Sequence, residues 1–169
     1  MYLHKLDIAD LYCLQEIASQ TFESTFSEGN SAEQMQRYLK ERFSLRKLQE
    51  ELSNPLSQFY FIVDAGRRLG YVKLNMGSAQ TESISDEAVE LERIYILKEH
   101  YGNGYGQLLL DKAIEIAKQS GASFIWLGVW EHNHRAVSFY KKNGFEVFGD
   151  HVFQFGKEAQ TDWLMRLSL

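Results

Sequence analysis

The chain has 169 residues, 44% of them apolar, a formal net charge of −5 and a single cysteine. That length and apolar share suit one core, so a single domain over residues 1–169 is expected. The acidic balance argues against a nucleic-acid surface, which needs clustered Lys and Arg to displace counterions, and one thiol closes no disulfide within the chain. No run approaches the roughly 18 apolar residues of a membrane span. Met1-Tyr2-Leu3-His4-Lys5 leads into Asp7 and Asp10 rather than a signal-peptide core, so a cytoplasmic protein with no membrane partner is expected.

From Asp10 to Phe26, the apolar residues Leu11, Leu14, Ile17, Ala18, Phe22 and Phe26 recur at helical spacing, and Cys13 among them reads as a buried structural thiol. Asn30-Ser31 ahead of Gln34 reads as a capping box that opens a second helix through Met35, Tyr38 and Leu39. A third, short helix carries Leu45, Leu48 and Leu52 and stops at Asn54-Pro55. The first third of the chain thus reads as helical. Residues 58–64 and 69–75 are rich in aromatic and β-branched side chains and form a hairpin about Ala65-Gly66-Arg67-Arg68. The polar run 77–87 is a loop and 89–96 the next strand.

That strand ends at Gly102-Asn103-Gly104-Tyr105-Gly106, after which Leu109, Leu110, Ala113, Ile114 and Ala117 mark a helix with one apolar face. Residues 123–130 are apolar without alternation, as in a strand covered on both faces. A helix over 133–142 is stopped by Asn143-Gly144, and two strands, around 146–155 and 161–167, complete a mixed sheet flanked by helices.

A glycine-rich turn between a strand and a helix N-terminus gathers free N–H groups at the positive end of the helix dipole, which suits a phosphate or pyrophosphate. A P-loop needs Gly-Lys-Ser/Thr, whereas Gln107-Leu108 follows here, and a dinucleotide fingerprint would place glycine where Gln107 stands. His132 and His134, even with His100, lack the further ligands of a zinc site, so no metal is expected. Trp126, Trp130 and Phe124 read as core and rim. Glu23, Glu28 and Glu33 read as a solvated face, with an acceptor-pocket lining as the alternative.

The run Ile96-x4-Tyr101-Gly102-Asn103-Gly104-Tyr105-Gly106, followed by Asn133-x2-Ala136-x2-Phe139-Tyr140-x3-Gly144-Phe145, resembles the paired signatures of the GNAT family of acetyltransferases. Further runs are similar to its bacterial PaiA-type spermidine/spermine N-acetyltransferases. These are Glu51-Leu-Ser-Asn54, Leu91-Glu-Arg-Ile-Tyr-Ile96, Lys112-Ala-Ile-Glu-Ile-Ala117, Ile125-Trp-Leu-Gly-Val-Trp-Glu131 and Gln160-Thr-Asp162.

The resemblance implies an α/β (α+β) fold. Its mixed, mostly antiparallel sheet has about six to seven strands flanked by helices, and its fourth and fifth strands splay apart. It also implies acetyl-coenzyme A as co-substrate. Ile94, Tyr95 and Ile96 would offer backbone groups to the pantetheine arm, with an N–H near Ile94 or Tyr95 polarising the thioester carbonyl. Gly102, Asn103, Gly104, Tyr105, Gly106 and Gln107 would hold the pyrophosphate. Tyr101 stands where the family usually has Gln or Arg, which removes a side-chain contact and leaves the backbone cradle. Asn133 corresponds to a cofactor-contacting asparagine, and an Asn there is equally a helix N-cap. Homodimers are common among such proteins.

Tyr140 corresponds to the family's general acid, since a phenol of ordinary pKa about 10 is protonated at neutral pH and can protonate a departing thiolate. An amine of similar pKa is only about one part in a thousand neutral at pH 7, so a proton acceptor is needed. Glu90 and Glu92 share one side of a strand by two-residue periodicity and are the candidates, unless a β-bulge resets the parity. The implied function is direct acetyl transfer to a primary amine, most readily a polyamine such as spermidine or spermine. Protein N-termini, other small amines and a non-catalytic acetyl-coenzyme A-binding regulator are the alternatives.

Overall fold

A computed structural model describes residues 1–26, 31–155 and 158–169, with 153–155 and 158–159 described by backbone alone. In chain order its elements are β1 (Tyr2–Lys5), α1 (Leu11–Phe26), α2 (Ala32–Arg42), α3 (Leu45–Leu52), β2 (Ser57–Asp64), β3 (Arg67–Met76), β4 (Ala88–Ile96), α4 (Tyr105–Gln119), β5 (Phe124–Trp130), α5 (His134–Lys142), β6 (Glu146–Phe155) and β7 (Glu158–Ser168). The strands form one seven-stranded sheet in the order β1-β2-β3-β4-β5-β7-β6. Every neighbouring pair is antiparallel except β4 and β5.

Side-chain caps fix where α2 and α3 begin. Ser31 and Gln34 cap α2 reciprocally, with backbone-to-side-chain bonds of 2.9 and 3.2 Å, and Ser44 accepts from the Lys47 N–H to open α3. Asn30, the other residue of the expected box, lies outside the described residues. The expectation of a wholly helical first third is corrected by β1, which pairs with β2 from Tyr2↔Val63 to Lys5↔Tyr60. Four half-exposed residues carry too little alternation to declare a strand, and it is the β2 edge that recruits them. The β2–β3 turn is also tighter than read, because Asp64 pairs with Arg67 and leaves only Ala65 and Gly66, both at positive φ (46° and 75°).

Period-two alternation sends β2 side chains to both faces. Phe59, Phe61 and Val63 join Leu14, Ile17 and Leu48 of α1 and α3, while Tyr60 and Ile62 join Leu109, Leu110 and Ala113 of α4. Cys13 is half-buried beside the first cluster rather than fully buried. Gly70 permits the close approach of β4, since a Cβ there would lie 2.2 Å from the Tyr95 carbonyl oxygen.

Two irregularities shape the site. β4 and β5 pair only from Ala88↔Phe124 to Glu90↔Trp126, whereas β5 follows β7 along its whole length. Each strand twists with its antiparallel partner, so the two part beyond Glu90 and a gap opens. Within β4 the register against β3 runs Lys73↔Arg93 and then Leu74↔Leu91, which leaves Glu92 as the extra residue of a bulge. Glu90, Glu92, Arg93 and Tyr95 consequently share the face beneath α1 and α2, while Leu91, Ile94 and Ile96 pack toward α4.

Candidate active site

The β4–β5 gap forms a cavity of about 240 Å³, bordered by Ile94 and Tyr95 of β4, Val129 of β5 and Asn133, Ala136 and Tyr140 at α5. From Leu91 to Ile96, β4 has β3 along one edge and, among the described residues, no strand along the other. An extended ligand arm can occupy that edge as a further strand would. Of the expected contacts, Ile94 and Tyr95 lie in the gap, whereas Ile96 is buried in the core at 9% exposure.

The turn before α4 gathers free backbone donors at a helix N-terminus. Gly102 and Gly104 take left-handed φ values of 81° and 79°, which a residue with a Cβ adopts only at a cost. They turn the chain so that the N–H groups of Gly104, Tyr105 and Gly106 donate to no acceptor among the described residues. Those donors sit at the positive end of a helix of 15 residues. Asn103 is tied back, its Nδ2 donating to the His100 carbonyl at 3.2 Å. The Gln107 side-chain amide donates to Asp111 and Asn143 at 2.8 and 2.7 Å, joining α4 to the end of α5, and its backbone N–H donates to the Gly104 carbonyl at 3.0 Å, so Gln107 braces the turn. The Tyr101 ring carries the Arg135 guanidinium at 4.1 Å, which places a cation beside the turn. The arrangement fits a pyrophosphate at the turn and an extended thioester arm in the gap.

Tyr140 is held between the rings of Phe139 and Phe145 at centroid distances of 5.4 and 5.6 Å, with 7% of its surface exposed. Burial pushes its phenol above the ordinary value. It therefore stays protonated at neutral pH and gives up its proton only to a group held against it. Asn133 caps α5, its Oδ1 accepting from the Ala136 N–H at 3.2 Å, and the residue also borders the gap.

A second cavity of about 290 Å³ adjoins the first beneath α1 and α2. Phe22, Phe43, Tyr95 and Trp126 give it aromatic walls, and Glu82, Glu90, Glu92 and Asp162 give it four carboxylates against Arg42, Arg93 and His151. Glu92 sits in a buried ion cluster, with Lys73 Nζ at 2.5 Å and Arg93 Nη2 at 2.8 Å from its oxygens. Glu51 of α3 completes the cluster, receiving Lys73 at 3.0 Å and Arg93 on both oxygens at 2.9 and 3.1 Å. Burial alone would raise the Glu92 carboxyl, but Arg93 and Lys73 outweigh it and hold the group at about 2. Glu90 is 3% exposed, and burial raises its carboxyl against hydrogen bonds from Asn75 and Thr81. Asn75 Nδ2 donates to Glu90 at 2.9 Å and to Glu92 at 2.6 Å, so the two candidate carboxylates share one donor.

Asp162, known in the sequence only as part of a motif run, borders both cavities. The one signal available was an acid beside Trp163 at the start of the apolar run Trp163-Leu164-Met165. Gly128, its neighbour on β5, is exposed in mid-strand rather than covered on both faces, because the cavities open over it. Glu23 and Glu33 are exposed and border neither cavity, and Glu28 lies outside the described residues. His132 precedes α5 and His134 opens it, with ring centroids 6.3 Å apart, and among the described residues no group of three or more potential ligands could hold a metal.

A sequence profile described as the acetyltransferase (GNAT) family matches residues 12–145. An uncharacterized N-acetyltransferase of Lactobacillus delbrueckii subsp. lactis is 39% identical over 153 residues, covering 90% of this chain and 88% of that one. The spermidine N(1)-acetyltransferase of Thermoplasma acidophilum is 30% identical over 149 residues, with 86% and 88% covered. The crystal structure of the PaiA N-acetyltransferase from Thermoplasma acidophilum in complex with coenzyme A superposes with a TM-score of 0.80 at 27% identity, covering 100% of both chains. With the splayed strands, the glycine cradle and the matched profile together, the chain belongs to the GNAT family and is an acetyl-coenzyme A-dependent N-acetyltransferase.

Proposed function

We propose that the chain transfers the acetyl group of acetyl-coenzyme A directly to a primary amine of a polyamine such as spermidine or spermine. The observation that carries this reading is the second cavity, where four carboxylates and aromatic walls adjoin the donor gap. A flexible polycation with methylene spacers matches that combination of charge and apolar surface. The similarity to a spermidine N(1)-acetyltransferase over most of the chain supports it.

In this reading, the N–H groups of Gly104, Tyr105 and Gly106 hold the pyrophosphate, and the Arg135 guanidinium on the Tyr101 ring takes the place of the family's usual Gln or Arg side chain. Gly102, Asn103 and the Gln107 backbone shape the turn. The backbone of Ile94 and Tyr95 orients the thioester and stabilises negative charge on its carbonyl oxygen. Tyr140 donates its proton to the sulfur as the C–S bond breaks. Glu90 and Glu92 belong to the buried polar network beside the acceptor cavity, whose four carboxylates outnumber its two arginines, and that excess draws the ammonium groups in.

If a second ammonium is recognised here, spermidine exceeds an alkyl monoamine of the same length in kcat/KM. One desolvated charge pair is worth about 1.5–3 kcal/mol, or roughly 10- to 100-fold. Thiol release from acetyl-coenzyme A under both acceptors measures this, and equal kcat/KM values would remove the polyamine from the reading.

A further inference from the structure

With that amine acceptor as the premise, we propose that Asp162 is the catalytic residue that takes the proton from the attacking ammonium. A proton acceptor for this transfer has to face the donor gap and the acceptor cavity at once, and its oxygens have to be open to a new donor. Of the four carboxylates, Glu82 and Glu90 border only the acceptor cavity. Glu90 also spends its oxygens on the Thr81 N–H at 2.8 Å, the Thr81 hydroxyl and Asn75. Glu92 reaches both cavities but is committed to Lys73, Arg93 and Asn75. Asp162 borders both, and its carboxylate receives no hydrogen bond from the described residues.

Strand register explains the placement. Asp162 lies opposite Trp130 on β5, with Leu164 opposite Gly128, so its side chain stands on the same face as Trp126 and projects over the glycine. A Cβ at Gly128 would lie 3.9 Å from Asp162 Oδ2. The absence of a side chain there leaves the carboxylate open to the junction of the two cavities. His151 lies across the strand pair on β6, with its Nδ1 2.7 Å from Glu82 of the 77–87 loop. Glu92, Arg93 and Tyr95 of β4, Tyr38 and Arg42 of α2, Trp130 of β5 and Tyr140 of α5 also line the two cavities that Asp162 borders. Burial raises the Asp162 carboxyl, His151 opposes this and Glu82 adds to it, which makes the group a better base than an exposed aspartate.

The ammonium loses one proton to Asp162, which frees the lone pair that forms the N–C bond. As the C–S bond breaks, Tyr140 gives its proton to the sulfur, and the second amine proton is released to restore the phenol. Asp162 then returns its proton to solvent, so one proton leaves per turnover along with the amide and the thiol.

Asp162→Asn is expected to lower kcat at saturating spermidine by 100-fold or more, with coenzyme A binding by calorimetry unchanged. The residual rate of the variant should climb about tenfold per pH unit toward pH 10 as free amine accumulates, while wild type levels off above its acidic limb. Asp162→Glu should recover part of the rate and keep the acidic limb. A kcat for Asp162→Asn within twofold of wild type, a change confined to the acceptor KM, or a pH profile parallel to wild type would overturn the assignment. Should Asp162→Asn lose coenzyme A binding, Asp162→Glu decides, and an alkaline-only profile for it overturns the assignment. A wild type that turns over no amine would instead contradict the acceptor reading itself.

Discussion

Replacing Tyr140 with Phe is expected to lower the rate of acetyl transfer by roughly 100- to 10,000-fold while leaving coenzyme A affinity within about twofold. The ring contacts with Phe139 and Phe145 need no hydroxyl, so the variant keeps the packing of α5 and loses only the proton. Because burial raises the Tyr140 phenol above its ordinary value, its ionisation does not limit wild-type kcat below about pH 10. Steady-state thiol release across pH measures both statements. A Tyr140→Phe rate within twofold of wild type at every pH would assign the protonation of sulfur to water or another group.

Replacing Glu51 with Ala is expected to cost about 3–5 kcal/mol, because Lys73 and Arg93 would be left buried with one carboxylate, Glu92, between them. Their side chains are only 5% and 7% exposed, so solvent cannot substitute for the lost partner. The denaturant midpoint reports this loss, and a midpoint unchanged from wild type would contradict it. The cluster also sets an acid limit. Glu92 falls from its ordinary 4.5 to about 2 in the folded chain, so its stabilisation is fully present above pH 4.5 and is lost as pH falls toward 2. That shift corresponds to about 3 kcal/mol, taken at 1.36 kcal/mol per pKa unit. Glu90 acts with the opposite sign, since a carboxyl raised by burial favours the folded state more as it protonates.

The helices, the β2–β3 hairpin and the segments bearing the two motifs could be read along the chain because periodicity and capping are local properties. Ser31 with Gln34 and the run from Leu11 to Phe22 each declare a helix within a few residues. β1 escaped because its four residues become a strand only against β2. The Glu92 bulge escaped for a different reason. Glu90 and Glu92 share a face as periodicity suggests, but Arg93 joins them there only because one residue is unpaired, and no local pattern announces that. The ion cluster joins Glu51 to Arg93 across 42 residues, so its pairing depends on the docking of α3 against the sheet. Asp162 is the sharpest case. An acid beside an apolar run in a late strand is a weak signal until Gly128 and two cavities are brought beside it.

Mass spectrometry of the product formed from isotopically labelled acetyl-coenzyme A and spermidine tests acetyl transfer to a polyamine most directly. The site as described predicts labelled N-acetylspermidine in amounts equal to the free coenzyme A released. Labelled acetate with unmodified spermidine, or label found only on peptide N-termini when peptides are added, would contradict it.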